Sequence, residues 1–156
     1  MRGRRPRRGP RERAGNAPHS GGRPQRTDLR LNAQGRHPEA EALAREALAA
    51  HRELDRFTVV LRLGLARSLN GQSRHEEALA EAERTDELHR GLPEEQRGPE
   101  TGAIQLATAT ALLGLDRSTE ARTHAETAHA ACRAAFGPAH HRTSEARELL
   151  DRMQGA

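Results

Sequence analysis

"LNAQGRHPEA" (Leu31–Ala40) and "LNGQSRHEEA" (Leu69–Ala78) are nearly the same sentence written 38 residues apart, and "LLGLDRSTEA" (Leu112–Ala121) is a looser third copy. Aligned on Glu39-Ala40, Glu77-Ala78 and Glu120-Ala121, the copies place an arginine four residues before each alanine, at Arg36, Arg74 and Arg117. Four and seven residues downstream come Ala44 and Ala47, Ala82 and Thr85, Ala125 and Ala128. Spacings of four and seven share one face of a helix, and such small residues let a neighbouring helix press close. A recurrence of this kind is the signature of a stacked repeat.

Twenty residues before Ala78 and Ala121 stand Thr58 and Thr101, with Thr143 a further 42 residues on. Between these landmarks run "TVVLRLGLARSLN" and "TGAIQLATATALLG", apolar around most of the circumference, as a helix packed on more than one side should be. The segments that follow, such as "RHEEALAEAERTDELHR", are charged on one face. The unit is therefore an apolar helix, a turn carrying Gly71 or Gly114, and an amphipathic helix. The pattern predicts helices over 38–54, 58–70, 74–90, 100–114, 117–135 and 142–153, with a partial helix over 27–34. Pro38 fits the first turn of its helix, where a missing N–H costs nothing. Gly98-Pro99 and Gly137-Pro138 punctuate the longer connections.

Composition agrees with an all-α chain. Among 156 residues the aromatics are Phe57 and Phe136 alone, whereas sheets favour β-branched and aromatic side chains. Charge divides the chain in two. Residues 1–26 hold nine Arg against Glu12, about +8, while 17 Arg and 21 acidic residues follow from Thr27 onward. The organisation expected is a disordered Arg/Gly/Pro-rich tail over 1–26 and one helical repeat domain over 27–156. Two readings of the tail stand: an arm that neutralises phosphates, or GC-rich text under no selection.

Chemistry finds little purchase. The chain has no Lys and so no phosphate loop of the Gly-x-x-x-x-Gly-Lys type, and no Gly-x-Ser-x-Gly elbow. His129 and Cys132 form one short pair where zinc wants two; Cys132 within "AHAACRAAF" reads as a small buried apolar residue. A helix-turn-helix DNA reader would concentrate positive charge on its reading helix, but here the device occurs three times in a net acidic region. The expectation is a non-enzymatic chain without cofactor or metal. A lone cysteine and the absence of any long apolar run point to a cytoplasmic protein that does not enter a membrane.

The motifs resemble tetratricopeptide repeats, and the 42–43-residue spacing is similar to the kinesin-light-chain-like variety common in actinobacteria. "FGPAHHRTSEARELL" matches that variety's opening through Gly137, Pro138, His140, Thr143 and Arg147. "TVVLRLGLARSLNGQSRHEEA" matches its remainder through Thr58, Arg62, Leu65, Ala66, Leu69, Arg74, Glu77 and Ala78. Ser73 replaces the usual turn glycine, and the first repeat lacks a recognisable first helix. The resemblance implies an α-solenoid of two and a half to three antiparallel helix pairs, and a scaffold that binds a peptide or partner protein on the face formed by the first helices. The polar residues there are Arg62, Arg67, Asn70, Gln105, Thr108 and Thr110. Two alternatives are a fragment of a larger regulatory protein and an adaptor that meets nucleic acid through its Arg-rich tail, the only part expected to do so. Without a first partner, the helix 38–54 would expose an apolar edge and self-associate through it.

Overall fold

The computed structural model describes residues 24–155. Seven α-helices follow one another: α1 (Pro24–Ala33), α2 (His37–Ala50), α3 (Arg56–Gly71), α4 (His75–Gly91), α5 (Thr101–Gly114), α6 (Ser118–Phe136) and α7 (His141–Gln154). There is no strand among the described residues. Each helix packs on the next in sequence, and α3 also touches α1 and α5 while α5 also touches α7. The chain is thus an α-solenoid of three helix pairs closed by α7.

The three turns inside the pairs are built alike, which explains the repeated text. Arg36, Arg74 and Arg117 each donate a backbone N–H to the carbonyl five residues back, on Leu31, Leu69 and Leu112, at 2.9 Å in all three. The residue before each arginine is left-handed: Gly35 at φ 74°, Ser73 and Asp116 at φ 60°. This is a Schellman stop, which occupies carbonyls the ending helix would leave bare. The arginine then pairs with the carboxylate three residues on, as Arg36–Glu39, Arg74–Glu77 and Arg117–Glu120.

The alanines predicted at the seams are buried there, except Ala47 near the end of α2, which is only partly buried. Ala40, Ala44, Ala78, Ala82, Ala121 and Ala125 have no exposed surface, nor does Ala128. Thr85, standing where the others carry alanine, is buried too and donates its hydroxyl to the Glu81 carbonyl at 2.6 Å. Larger side chains supply the bulk: Leu65, Leu69, Leu79, Leu106, Leu112, Leu149 and Met153 form one core cluster with Ala44, Ala78, Ala121, Ala125 and Ala128. Val59, Leu63, Leu92 and Ile104 anchor a second.

Helix starts follow from local chemistry. The Asp55 carboxylate accepts the Thr58 N–H at 3.1 Å and caps α3. The Thr58 and Thr143 hydroxyls reach back to the carbonyls of Glu53 and Gly137. Thr101 sits at the same register but is exposed; the shortened connection before α5 buries Glu100 instead. That connection contains a 3₁₀ turn (Glu94–Gln96), and the Arg97 guanidinium closes the end of α4 by donating to Leu92 and Arg90 carbonyls at 2.8 and 2.7 Å.

Two expectations are corrected. The partial helix expected over 27–34 is longer, Pro24–Ala33, and gives the first repeat the first helix its sequence does not make recognisable, packed on α2 and α3. Its sequence hid this, because "PQRTDLRLNA" carries few apolar residues. Part of its attachment is polar, through the Asn32 amide, which donates to the Gly64 carbonyl on α3 at 3.3 Å. The helix expected over 38–54 ends at Ala50, where His51 turns extended. The tail expected over 1–26 lies outside the described residues, except that 24–26 form the start of α1.

Candidate functional site

The first helices of the pairs, together with α7, wall a groove of about 680 Å³, a size ordinary for a binding cleft. Its floor is apolar: Leu29 and Ala33 from α1, Ala103, Leu106 and Ala107 from α5. Leu29 is one of two large apolar side chains left exposed among the described residues. Around this floor stand Arg30, Arg67, Arg142 and a single carboxylate, Glu145.

Three of the six residues singled out from sequence line this groove: Arg67, Asn70 and Thr110. Arg67 and Thr110 occupy equivalent positions on α3 and α5, 43 residues apart. Arg67 reaches Glu145 on α7 at 3.3 Å. Thr110 returns its hydroxyl to the Leu106 carbonyl at 2.8 Å, leaving its methyl for the groove. The other three point elsewhere. Arg62 pairs with Glu81 on α4 at 3.2 Å, and Gln105 meets the His124 ring on α6 at 2.5 Å. Both contacts span 19 residues, so this register position faces the second helix of its own pair. Thr108 is buried and bonded to the Ile104 carbonyl.

Asn70 joins two repeats. Its amide donates to the Ala107 carbonyl on α5 at 3.1 Å, and its oxygen meets the His75 Nδ1 at 3.1 Å. Asn32 does the same one repeat earlier, with Gly64 and with His37 at 2.9 Å. An amide oxygen only accepts, so Nδ1 of each histidine carries the proton. The rings held this way lie on glycines of the next first helix: a Cβ at Gly71 would overlap His37, and one at Gly114 would overlap His75. At the corresponding places the first turn has Ala33 and the third has Leu113 and Ser118. The interlock therefore runs from α1 to α5 and no further.

Electrostatics set the groove apart from the rest of the stack. Arg142 has no carboxylate within ion-pair distance among the described residues; its guanidinium lies 5.8 Å from the centre of the Phe136 ring. Burial, then the neighbouring Arg67, push its pKa below the ordinary arginine value. Partial desolvation, then His140, lower the pKa of His141 beside it. Sequence reasoning missed Arg30, Arg142 and Glu145, because α1 and α7 come to the groove only through stacking, and His37, which opens α2 at the groove's edge.

Two other groupings take no part. His51, Glu53 and Asp55 are close enough to converge on one ion; Asp55 already caps α3 and meets the His51 ring at 3.0 Å. Cys132 is buried against Gly102, and burial raises its thiol pKa, which makes it a poor nucleophile.

Residues 29–54, which span the second half of α1 and all of α2, match the family model described as Tetratricopeptide repeat. The first helix pair is a tetratricopeptide repeat. No curated protein and no solved structure matches the chain. The matched segment is the very pair whose first helix is hardest to read, and the other two pairs carry the same Schellman turn. No helix among the described residues is long and apolar enough to cross a membrane.

Proposed function

We propose that the chain is a non-enzymatic interaction module that holds a segment of a partner protein in the groove between α1, α3, α5 and α7. The observation that carries the reading is the groove itself: an apolar floor open to solvent and bordered by charged side chains with fixed positions. Stacked repeats bury a continuous core and leave an extended concave face free for binding. The Arg67–Glu145 pair and the Asn70 interlock hold α3, α5 and α7 in register, so a ligand would meet a wall already ordered.

The test is a peptide selection on the purified chain, repeated with Thr110→Trp. Thr110 is half-buried and lines the groove, so an indole there fills the space without entering the alanine seams. Peptides kept by the parent and lost by this variant, at unchanged helicity by circular dichroism, support the reading. Equal retention by both proteins refutes it.

A further inference from the structure

We propose that His51, Glu53 and Asp55, on the connection between α2 and α3, form a binding site for a divalent cation of the zinc class, which clamps the first repeat to the second. None of the three lines the groove, so the site does not depend on how the groove is used.

The three side chains meet because the connection is extended. Residues two apart in an extended chain project to the same side, and His51 and Asp55 both hold extended backbone angles. Their ligand atoms and that of Glu53 all lie within 4.8 Å of one another. His51 Nε2 and Asp55 Oδ1 stand 3.0 Å apart, close to the roughly 3.3 Å that separates donors around a tetrahedral ion with bonds of about 2.0–2.2 Å. Two of the three positions are fixed. The Asp55 carboxylate is anchored by the Thr58 N–H at 3.1 Å, and the Phe57 ring stands edge-on to the His51 ring with its centre 4.7 Å away. Glu53 is exposed, so its side chain can turn inward, while its carbonyl is tied to the Thr58 hydroxyl. A carboxylate only accepts, so His51 Nε2 carries a proton that an incoming ion displaces.

The fold itself does not call for this trio. Thr58, Thr101 and Thr143 mark one register, and counting back from them puts Glu94, Gln96 and Gly98 before α5, and Phe136, Pro138 and His140 before α7. The three donors thus belong to one connection and not to the repeat. Arg56, next to Asp55 in the chain, turns to Glu100 at 2.9 Å. Among the described residues the basic group that meets this carboxylate pair is the His51 ring. Two carboxylates drawn together favour a cation between them.

An imidazole beside carboxylates suits zinc and its first-row neighbours. Calcium takes about six to eight oxygens, and magnesium an octahedron of them, which this set does not provide. Three protein donors leave a fourth position to water. An ion held there ties the end of α2 to the start of α3 and stabilises the folded chain by mass action.

Isothermal titration of the full chain with zinc chloride, after removal of metal with EDTA, tests this beside thermal melts in zinc, calcium or magnesium. Zinc should bind in the micromolar range and raise the melting temperature, with no rise from calcium or magnesium. His51→Gln and, independently, Glu53→Gln should each weaken zinc binding about tenfold or more. Asp55→Asn should do the same while its side-chain oxygen still caps α3, so its metal-free melt stays near the parent's. His129→Ala, on α6, is the control for the chain's other histidines and should change nothing. Zinc bound by all three connection variants as tightly as by the parent, or lost in His129→Ala, belongs elsewhere and overturns the proposal. Binding at millimolar zinc alone marks an adventitious ion only and overturns it too. Calcium bound as tightly as zinc, lost in Glu53→Gln and kept in His51→Gln, makes the site a carboxylate pair and removes its zinc character.

Discussion

The His37 ring of the first repeat occupies the space in which a side chain at Gly71 of the second would begin. Asn32 pins that ring through Nδ1, so it cannot swing aside cheaply. Gly71→Ala should therefore destabilise the fold by about 1–3 kcal/mol, the usual cost of overpacking, although alanine is ordinarily the better helix residue. In a His37→Ala background the same substitution should be neutral or favourable. Urea unfolding of the four proteins gives the coupling energy; additive effects would mean the ring does not rest on Gly71.

Asn70 bridges repeats two and three with one donor and one acceptor. Asn70→Ala removes both bonds and leaves the His75 Nδ1 proton without its partner, at a cost of about 1–3 kcal/mol. Leu113 holds the same register in the third turn, and Ser118 stands there in place of a histidine. Leu113→Asn should consequently gain nothing. Thermal melts of the two variants separate a true interlock from a general liking for asparagine near helix ends.

Ser73 and Asp116 both adopt φ 60° in turns where the first repeat uses Gly35. A side chain in this region costs about 1–2 kcal/mol, less for aspartate than for most residues. Ser73→Gly should stabilise by about 0.5–1 kcal/mol, once the extra freedom of glycine in the unfolded chain is set against the relief. Asp116→Gly should gain less, and Gly35→Ala should lose about 1 kcal/mol. Midpoints of denaturant unfolding that rank otherwise would contradict the left-handed turns.

Glu41 ties the first pair to the second. Burial alone would raise its pKa, but hydrogen bonds from Gln72, Arg45 and Arg74 outweigh burial and hold it below the ordinary carboxylate value. A carboxyl lowered in the folded state binds its proton more readily when unfolded, so its contribution is present above the unfolded value and fades as pH falls. Stability should thus decline below roughly pH 4, and Glu41→Gln should flatten the decline. Melting curves between pH 3 and 7 measure it; an unchanged slope in the variant would exclude Glu41 as a source.

Much of this was legible because each repeat states its own local rules. The Glu-Ala pairs, the arginine four residues earlier and the apolar first helices predicted six of the seven helices to within a few residues, part of α1, and every seam alanine except the partly buried Ala47. α1 was obscured by its arginines, since its attachment is an amide reaching a carbonyl rather than an apolar stripe. The groove was legible only in part. Helical period separates faces but does not say which face meets the partner helix, so Arg62 and Gln105 looked like groove residues while each was committed to its own pair. His37 and His75 left a signal that was not used: histidine follows arginine in two copies, and glycine waits one repeat later in each case.

Gly102 is an approach of a different kind from Gly71. A Cβ there would overlap the Cys132 sulfur, and it would stand 3.0 Å from the Cys132 nitrogen and 3.3 Å from the Ala128 carbonyl oxygen. The last two atoms belong to the backbone of α6 and cannot turn away. Gly102→Ala should push α5 off α6 and destabilise by about 1–3 kcal/mol. Cys132→Ala should rescue it only in part, because the backbone contacts persist, whereas His37→Ala should rescue Gly71→Ala fully. Gly91, with nothing within 4 Å of its Cβ position, is the control, and its alanine variant should be neutral or gain up to about 1 kcal/mol. Equal rescue at both sites would show that side chains alone set the spacing of α5 and α6; unequal rescue assigns it to the helix backbones.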